Sequence, residues 1–251
     1  MNWNYPCIKN MGTQEVKELA KMIDHSILHP TMTDDNLEKE CAVAVKFDVA
    51  SVCVKPYMVT RAAELLKGTD VAVGCVIGFP HGNSTTAVKV FEAVQACGEG
   101  ASEIDMVINI GKALSGDWLY VENEVRVITA MCHEHHALVK VIFETDYLTR
   151  SEDKISLCEI CTRSGADFVK TSTGYGFVKL SGGDYNYRGA TVSDIELMRK
   201  HTGPDVRVKA AGGVRTLDDL LKMKASGADR CGATATETIL TEAVKRFGGG
   251  M

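Results

Sequence analysis

The sequence predicts a single (β/α)8 TIM barrel, and three observations carry that reading. Eight short apolar runs recur along the chain, helical periodicity fills the intervals between them, and no linker-like stretch divides the whole. Strand and helix alternating through eight rounds fits a closed parallel barrel better than an open sheet, which usually has fewer strands. A chain of 251 residues, 45% hydrophobic and 24% charged, can bury a core of that size.

In chain order, strands are expected at 22–24, 49–54, 71–77, 103–108, 138–144, 167–171, 207–211 and 229–231. Between them apolar residues recur at spacings of three and four, as at Leu37, Cys41 and Val45 or at Val121, Val125 and Ile128, which is the pattern of an amphipathic helix. Two helix starts carry an acid three residues after a threonine, Thr191 with Asp194 and Thr216 with Asp219, the arrangement of a capping box. One barrel domain is expected over 1–251, with a short N-terminal extension and a flexible Gly-rich tail at 248–251.

Composition narrows the class. Nine cysteines without framework spacing point to free thiols in a reducing compartment, so a cytoplasmic location is expected. The N-terminus lacks a basic stretch followed by an apolar one, and no apolar run approaches the roughly 20 residues of a membrane span. A net charge of -5 argues against a nucleic-acid partner, which would need a concentrated basic surface.

Four charged residues interrupt the apolar strands: Asp105, Lys140, Lys170 and Lys209. Burial disfavours an ammonium group and a second cation disfavours it further, so a lysine in such a place tends towards the free amine that attacks carbonyls. Lys170 and Lys209 fall on the sixth and seventh strands, whose backbones lie about 5 Å apart. Ammonium groups ~5–6 Å apart at an effective dielectric near 20 repel by roughly 3 kcal/mol, or about two pKa units. The competing reading is a buried ion pair with Asp105 or Glu144, and Lys140 is expected as a pair partner lower in the barrel.

The next signal is phosphate. Ala211-Gly212-Gly213-Val214-Arg215 follows the seventh strand, and Cys231-Gly232-Ala233-Thr234 follows the eighth, just before a helix beginning near Thr236. Small residues let backbone N–H groups approach an anion at a helix start, and barrels commonly bind phosphate after these two strands.

The runs Asp167-Phe168-Val169-Lys170-Thr171-Ser172-Thr173-Gly174 and Val208-Lys209-Ala210-Ala211-Gly212-Gly213-Val214-Arg215 resemble the two signatures of the deoxyribose-phosphate aldolases, a class I aldolase family. The likeness extends through Met22-Ile23-Asp24-His25, Ser51-Val52-Cys53-Val54, Glu103-Ile104-Asp105-Met106-Val107 and Lys140-Val141-Ile142-Phe143-Glu144-Thr145, and covers about 15 to 243. It implies reversible cleavage of 2-deoxy-D-ribose 5-phosphate to acetaldehyde and D-glyceraldehyde 3-phosphate. It also implies Lys170 as the Schiff-base nucleophile, Lys209 as the neighbour that lowers its pKa, and Asp105 as an acid/base group acting with a water. Asp24 and Cys53 would line the pocket near the sugar hydroxyls and the aldehyde. Thr173, Gly174, Gly212, Gly213, Val214, Arg215, Gly232 and Thr234 would hold the phosphate end. No metal or cofactor is expected, the partners are small phosphorylated sugars and aldehydes, and a homo-oligomer is the default assembly.

The chain departs from the family pattern at 175–188, a long Gly- and Tyr-rich connection where relatives commonly run quickly to the next helix. Tyr175 stands where some relatives carry a lysine, which makes Lys179 or Arg188 a candidate replacement in a lid over the phosphate, and Ala235 replaces a second hydroxyl of some relatives. His133-Glu134-His135-His136 reads as a solvated helix end and Cys158 with Cys161 as a core face of a helix. His81 lies in a turn at the mouth of the third strand, within reach of a substrate. The rival functions are a barrel aldolase for a different sugar, another barrel enzyme with no covalent lysine, and a non-catalytic sugar-phosphate binder.

Overall fold

A computed structural model describes residues 13–248; the expected N-terminal extension up to residue 12 and the last three residues of the tail lie outside them. The eight expected barrel strands all form: β1 (Ile23–Ile27), β2 (Ser51–Val54), β3 (Ala72–Ile77), β4 (Glu103–Val107), β5 (Leu138–Ile142), β6 (Phe168–Lys170), β9 (Arg207–Ala211) and β10 (Arg230–Ala233). They close in the order β1-β10-β9-β6-β5-β4-β3-β2, parallel at every junction. The two labels missing from the ring, β7 (Val178–Lys179) and β8 (Tyr185–Asn186), pair antiparallel as a hairpin within the long connection, where the sequence showed only turn chemistry.

Helices surround the strands in chain order: α1 (Gln14–Ala20), α2 (Asp34–Phe47), α3 (Val59–Leu65), α4 (Thr86–Gly98), α5 (Ile110–Leu114), α6 (Trp118–Glu134), α7 (Ser151–Ser164), α8 (Val192–His201), α9 (Leu217–Ala225) and α10 (Thr236–Phe247). Leu37 and Cys41 of α2 and Val121, Val125 and Ile128 of α6 are buried against the barrel, whereas Val45 is only partly covered. Each fully buried Leu, Ile or Phe contributes about 1.5–3 kcal/mol, so the outer layer is held chiefly by this apolar seam. Thr216 forms the expected capping box with Asp219. At Thr191 the hydroxyl accepts from Asp194 N and donates to Asp194 Oδ2 at 2.7 Å, while Oδ1 takes the ammonium of Lys154, 2.5 Å away, because that buried cation needs a counter-charge. Cys158 and Cys161 lie buried on α7, and His133 pairs at the surface with Asp167.

Strand alternation sorts residues between two cores. Ile104 and Met106 of β4, or Val208 and Ala210 of β9, pack outward into the helix layer, which leaves their neighbours Glu103, Asp105, Arg207 and Lys209 for the barrel interior. That alternation is what gathers charge inside an otherwise apolar fold.

Candidate active site

The register sets the charged side chains side by side. Asp105 of β4 pairs in register with Lys140 of β5, Lys170 of β6 with Lys209 of β9, and Lys209 with Arg230 of β10. Asp24 of β1 closes the ring from the other side.

Within this ring Lys170 Nζ donates to Asp105 Oδ2 at 2.7 Å and Lys209 Nζ to the same oxygen at 2.8 Å, while Lys140 Nζ reaches Asp105 Oδ1 at 2.8 Å. Lys140 also touches Glu103 at 2.6 Å and Asp24 at 3.4 Å. Lys209 has a second carboxylate in Asp24 at 2.6 Å, and Arg230 holds Asp24 at 2.5 Å and Glu103 at 3.5 Å. Four cations therefore face three carboxylates, and Lys170 alone among the four has one carboxylate partner rather than two or more.

That imbalance shows in the titration of each group. Burial pulls the Lys170 amine below the ordinary lysine range; Asp105 opposes this and the Lys209 ammonium reinforces it. For Lys209 burial acts in the same direction, but Asp105 and Asp24 together outweigh it and hold the ammonium above the ordinary range. Burial disfavours the Asp105 anion too, yet Lys140, Lys170 and Lys209 overcome it and keep the carboxyl well below the usual range. Lys170 is thus the cation the cluster can most easily release.

It is also the one that opens on a cavity. A cleft of about 500 Å³ at the C-terminal mouth of the barrel is lined by Lys170, Thr173, Gly174, Gly212, Gly213, Val214, Arg215, Gly232 and Thr234, together with Ser26, His29 and Tyr187. Gly174, Gly212 and Gly213 have φ of 84°, 85° and 86°, in the left-handed region that a side chain rarely adopts, so their amides can turn towards the cleft. A Cβ at Gly232 would lie 3.4 Å from Ala211 Cβ and 3.6 Å from Lys209 Cε, so the backbone of this turn runs in contact with the second lysine.

Two expected wall residues lie behind the wall. Asp24 is wholly buried because Lys209, Lys140 and Arg230 draw it into the barrel, and Cys53 packs in a small apolar cluster with Leu28 and Val76, its thiol pushed up to about 11 by burial. Asp105 likewise has no accessible surface and reaches the cleft only through Lys170. Lys179 and Arg188 do not line the cleft: Lys179 is exposed on the hairpin, and Arg188 borders a separate groove with Asp146 and Leu180. From the long connection Tyr175, Phe177 and Tyr187 reach the cleft, the last two stacked edge to face at 5.6 Å, with Arg215 Nη2 donating to Tyr187 Oη at 3.4 Å. His81 is exposed and not among the lining residues.

Sequence reasoning missed Glu103, Arg230 and Ser26. Glu103 lies two residues from Asp105, Ser26 two from Asp24, and Arg230 two from the Gly232 turn, so the period of two, continued along each strand, would have found all three.

A closed parallel barrel whose mouth opens on a buried lysine, short of counter-charge and beside a glycine-rich rim, defines an enzyme equipped for carbonyl chemistry on an amine. The chain belongs to the DeoC/LacD family of aldolases, whose model matches residues 19–238. It is 49% identical over 238 residues to the deoxyribose-phosphate aldolase of Rhodopirellula baltica, covering 95% of this chain and 94% of that one. The Thermococcus gammatolerans deoxyribose-phosphate aldolase is 48% identical over 220 residues, 87% and 93% of the two chains. The solved structure of the Aeropyrum pernix enzyme, described as a tetrameric deoxyribose phosphate aldolase, superposes with a TM-score of 0.81 at 27% identity, covering 94% of each chain.

Proposed function

We propose that the protein cleaves 2-deoxy-D-ribose 5-phosphate reversibly into acetaldehyde and D-glyceraldehyde 3-phosphate through a Schiff base on Lys170. The observation that carries this is the position of Lys170: at the cleft, with a single carboxylate partner, in a cluster holding one more cation than it has carboxylates. The free amine adds to the C1 carbonyl, and loss of water from the carbinolamine gives a protonated imine. Removal of the proton from the C3 hydroxyl then breaks the C2–C3 bond. The electron pair moves into the imine to leave an enamine, and C3 departs as the aldehyde of glyceraldehyde 3-phosphate. Protonation at C2 and hydrolysis release acetaldehyde and restore the lysine.

Lys209 keeps the Lys170 amine available by its charge. Asp105, held anionic by three ammonium groups, is a weak base at rest. It gains strength at the carbinolamine stage, when the Lys170 nitrogen is neutral, and there it exchanges protons through a water. The phosphate is received by the amides of Gly174, Gly212, Gly213 and Gly232, the hydroxyl of Thr234, and Arg215, with Val214 filling the turn and Thr173, its own donors spent on Glu144, shaping the wall beneath. Asp24 acts from behind, through Lys209, and Cys53 shapes the apolar side of the pocket. This chemistry needs no metal, so EDTA should leave the rate unchanged.

The tetrameric Aeropyrum pernix relative supports a homo-oligomer. No helix among the described residues is long and apolar enough to cross a membrane. A cytoplasmic location rests on the free cysteines, eight of which stand unpaired among the described residues.

Acetaldehyde with borohydride tests the reading. A reduced two-carbon adduct is expected on Lys170 by peptide mass spectrometry, and Lys170→Ala should lose both adduct and cleavage. An active Lys170→Ala protein would overturn it. An adduct without cleavage of deoxyribose 5-phosphate would point to an aldolase for another sugar.

A further inference from the structure

Glu144 lies two residues beyond the end of β5 and is wholly buried, with φ of +60°, a left-handed conformation that a glutamate adopts only where its surroundings require it. Its Oε2 accepts from the backbone N–H of Thr173 at 3.2 Å and from the Thr173 hydroxyl, which in turn accepts from Tyr175 N at 2.9 Å. Its Oε1 has no hydrogen-bond partner among the described residues and lies against Gly176, where an added Cβ would stand 2.8 Å from it and 2.7 Å from Cδ. One carboxyl group thus underlies the whole turn from Thr173 to Gly176, and the cleft-lining Thr173 and Gly174 lie on that turn's open side. A buried carboxyl with an orphaned oxygen costs stability, and none of the steps on Lys170 uses it.

We propose that Glu144 is a positioning residue for the phosphate-bearing end of the substrate, holding both donors of Thr173 and so fixing the 173–176 turn with the Gly174 amide facing the phosphate. This rests on the reading of the cleft as a sugar-phosphate site. Loss of the two bonds to Thr173 frees the turn without breaking a hydrogen bond or ion pair of the Lys170 cluster, so the larger effect falls on substrates that carry phosphate. Removing Glu144 with Glu144→Ala should raise KM for deoxyribose 5-phosphate about tenfold, the scale of one buried hydrogen bond to a charged group. KM for unphosphorylated deoxyribose and borohydride trapping of acetaldehyde on Lys170 should move less than about twofold, and kcat should follow them.

Glu144→Gln retains an acceptor for Thr173 and should recover most of the lost KM. Gly176→Ala, whose methyl group displaces the carboxyl from above, should reproduce the split while leaving Glu144 in place, and it covers the case in which Glu144→Ala fails to fold. Equal changes for both sugars in Glu144→Ala and Gly176→Ala, or no change in either, would overturn the proposal. Failure of the unaltered protein to trap acetaldehyde or cleave either sugar would instead sink the aldolase reading beneath it.

Discussion

Lys170 and Lys209 donate to the same oxygen of Asp105, at 2.7 and 2.8 Å. Two ammonium groups sharing one carboxylate oxygen are in mutual repulsion, and only Lys209 has a second carboxylate, Asp24, to offset it. The asymmetry between two otherwise similar lysines is therefore set by β1, which contributes no lysine to the cluster.

Replacing the better-paired lysine should disable the other through charge alone. Lys209→Met removes a repelling cation and leaves Asp105 and Asp24 in search of a partner, and both changes raise the Lys170 pKa. The rate should fall by about 10²-fold at neutral pH and recover in part as pH rises, in keeping with a loss of about two pKa units of tuning. A uniform loss at every pH, with the fold intact, would show that Lys209 acts otherwise.

Arg230 should be a stability residue. Arg230→Met takes away the cation closest to Asp24 and leaves a buried carboxylate short of charge, which typically costs about 3–5 kcal/mol. Urea unfolding should register the loss directly. A variant as stable as the parent would mean that Lys140 and Lys209 alone satisfy Asp24.

Glu144 should make stability depend on pH. Burial pushes its carboxyl up to about 7 from an ordinary 4.5, against the two bonds from Thr173 and the charge of Lys170, with Asp146 adding to the rise. The folded protein therefore binds this proton more tightly than the unfolded chain. The associated stability is complete below about pH 4.5 and is lost as pH rises through about 7. The shift is worth on the order of 3 kcal/mol. The difference in unfolding free energy between the parent and Glu144→Gln should change by about that much between pH 4.5 and pH 8, to the parent's disadvantage at the higher pH. Parallel profiles would refute it.

Tyr187 should matter for the phosphate end although it lies in the long connection. Tyr187→Ala removes the edge-to-face partner of Phe177 and the oxygen that Arg215 reaches, so KM for deoxyribose 5-phosphate should rise severalfold with little change in acetaldehyde trapping. Steady-state kinetics with both substrates decides this, and an unchanged KM would reduce Tyr187 to packing.

The barrel and its lysines were legible because both follow from short-range regularities. Alternating apolar strands give the fold, and Lys170 and Lys209 stand out as charges in runs that burial should have purged. The glycine turn after β9 was legible for a similar reason, since Gly212 and Gly213 occupy backbone conformations that few other residues accept. What stayed hidden depends on which strands become neighbours. Closure of β10 onto β1 is what sets Arg230 against Asp24, residues 206 positions apart, and draws Asp24 off the wall of the pocket. The expected basic replacements were misplaced on the same ground: Lys179 and Arg188 are close to Lys170 in sequence, but the hairpin turns them away, and the aromatic residues at its feet line the cleft.

Both feet of that hairpin are fastened to one short stretch of chain after β5. Glu144 holds Thr173 where the connection departs, Asp146 accepts from Arg188 N at 2.7 Å and Gly189 N at 3.0 Å where it returns, and between them the Tyr147 hydroxyl meets Phe177 O at 3.2 Å. Everything from 178 to 186 consequently leaves and re-enters the barrel through a single clasp. The segment thus hangs beside the cleft from one anchor, as a pendant does from the chain that carries it, and whatever shifts 144–147 shifts both of its ends together.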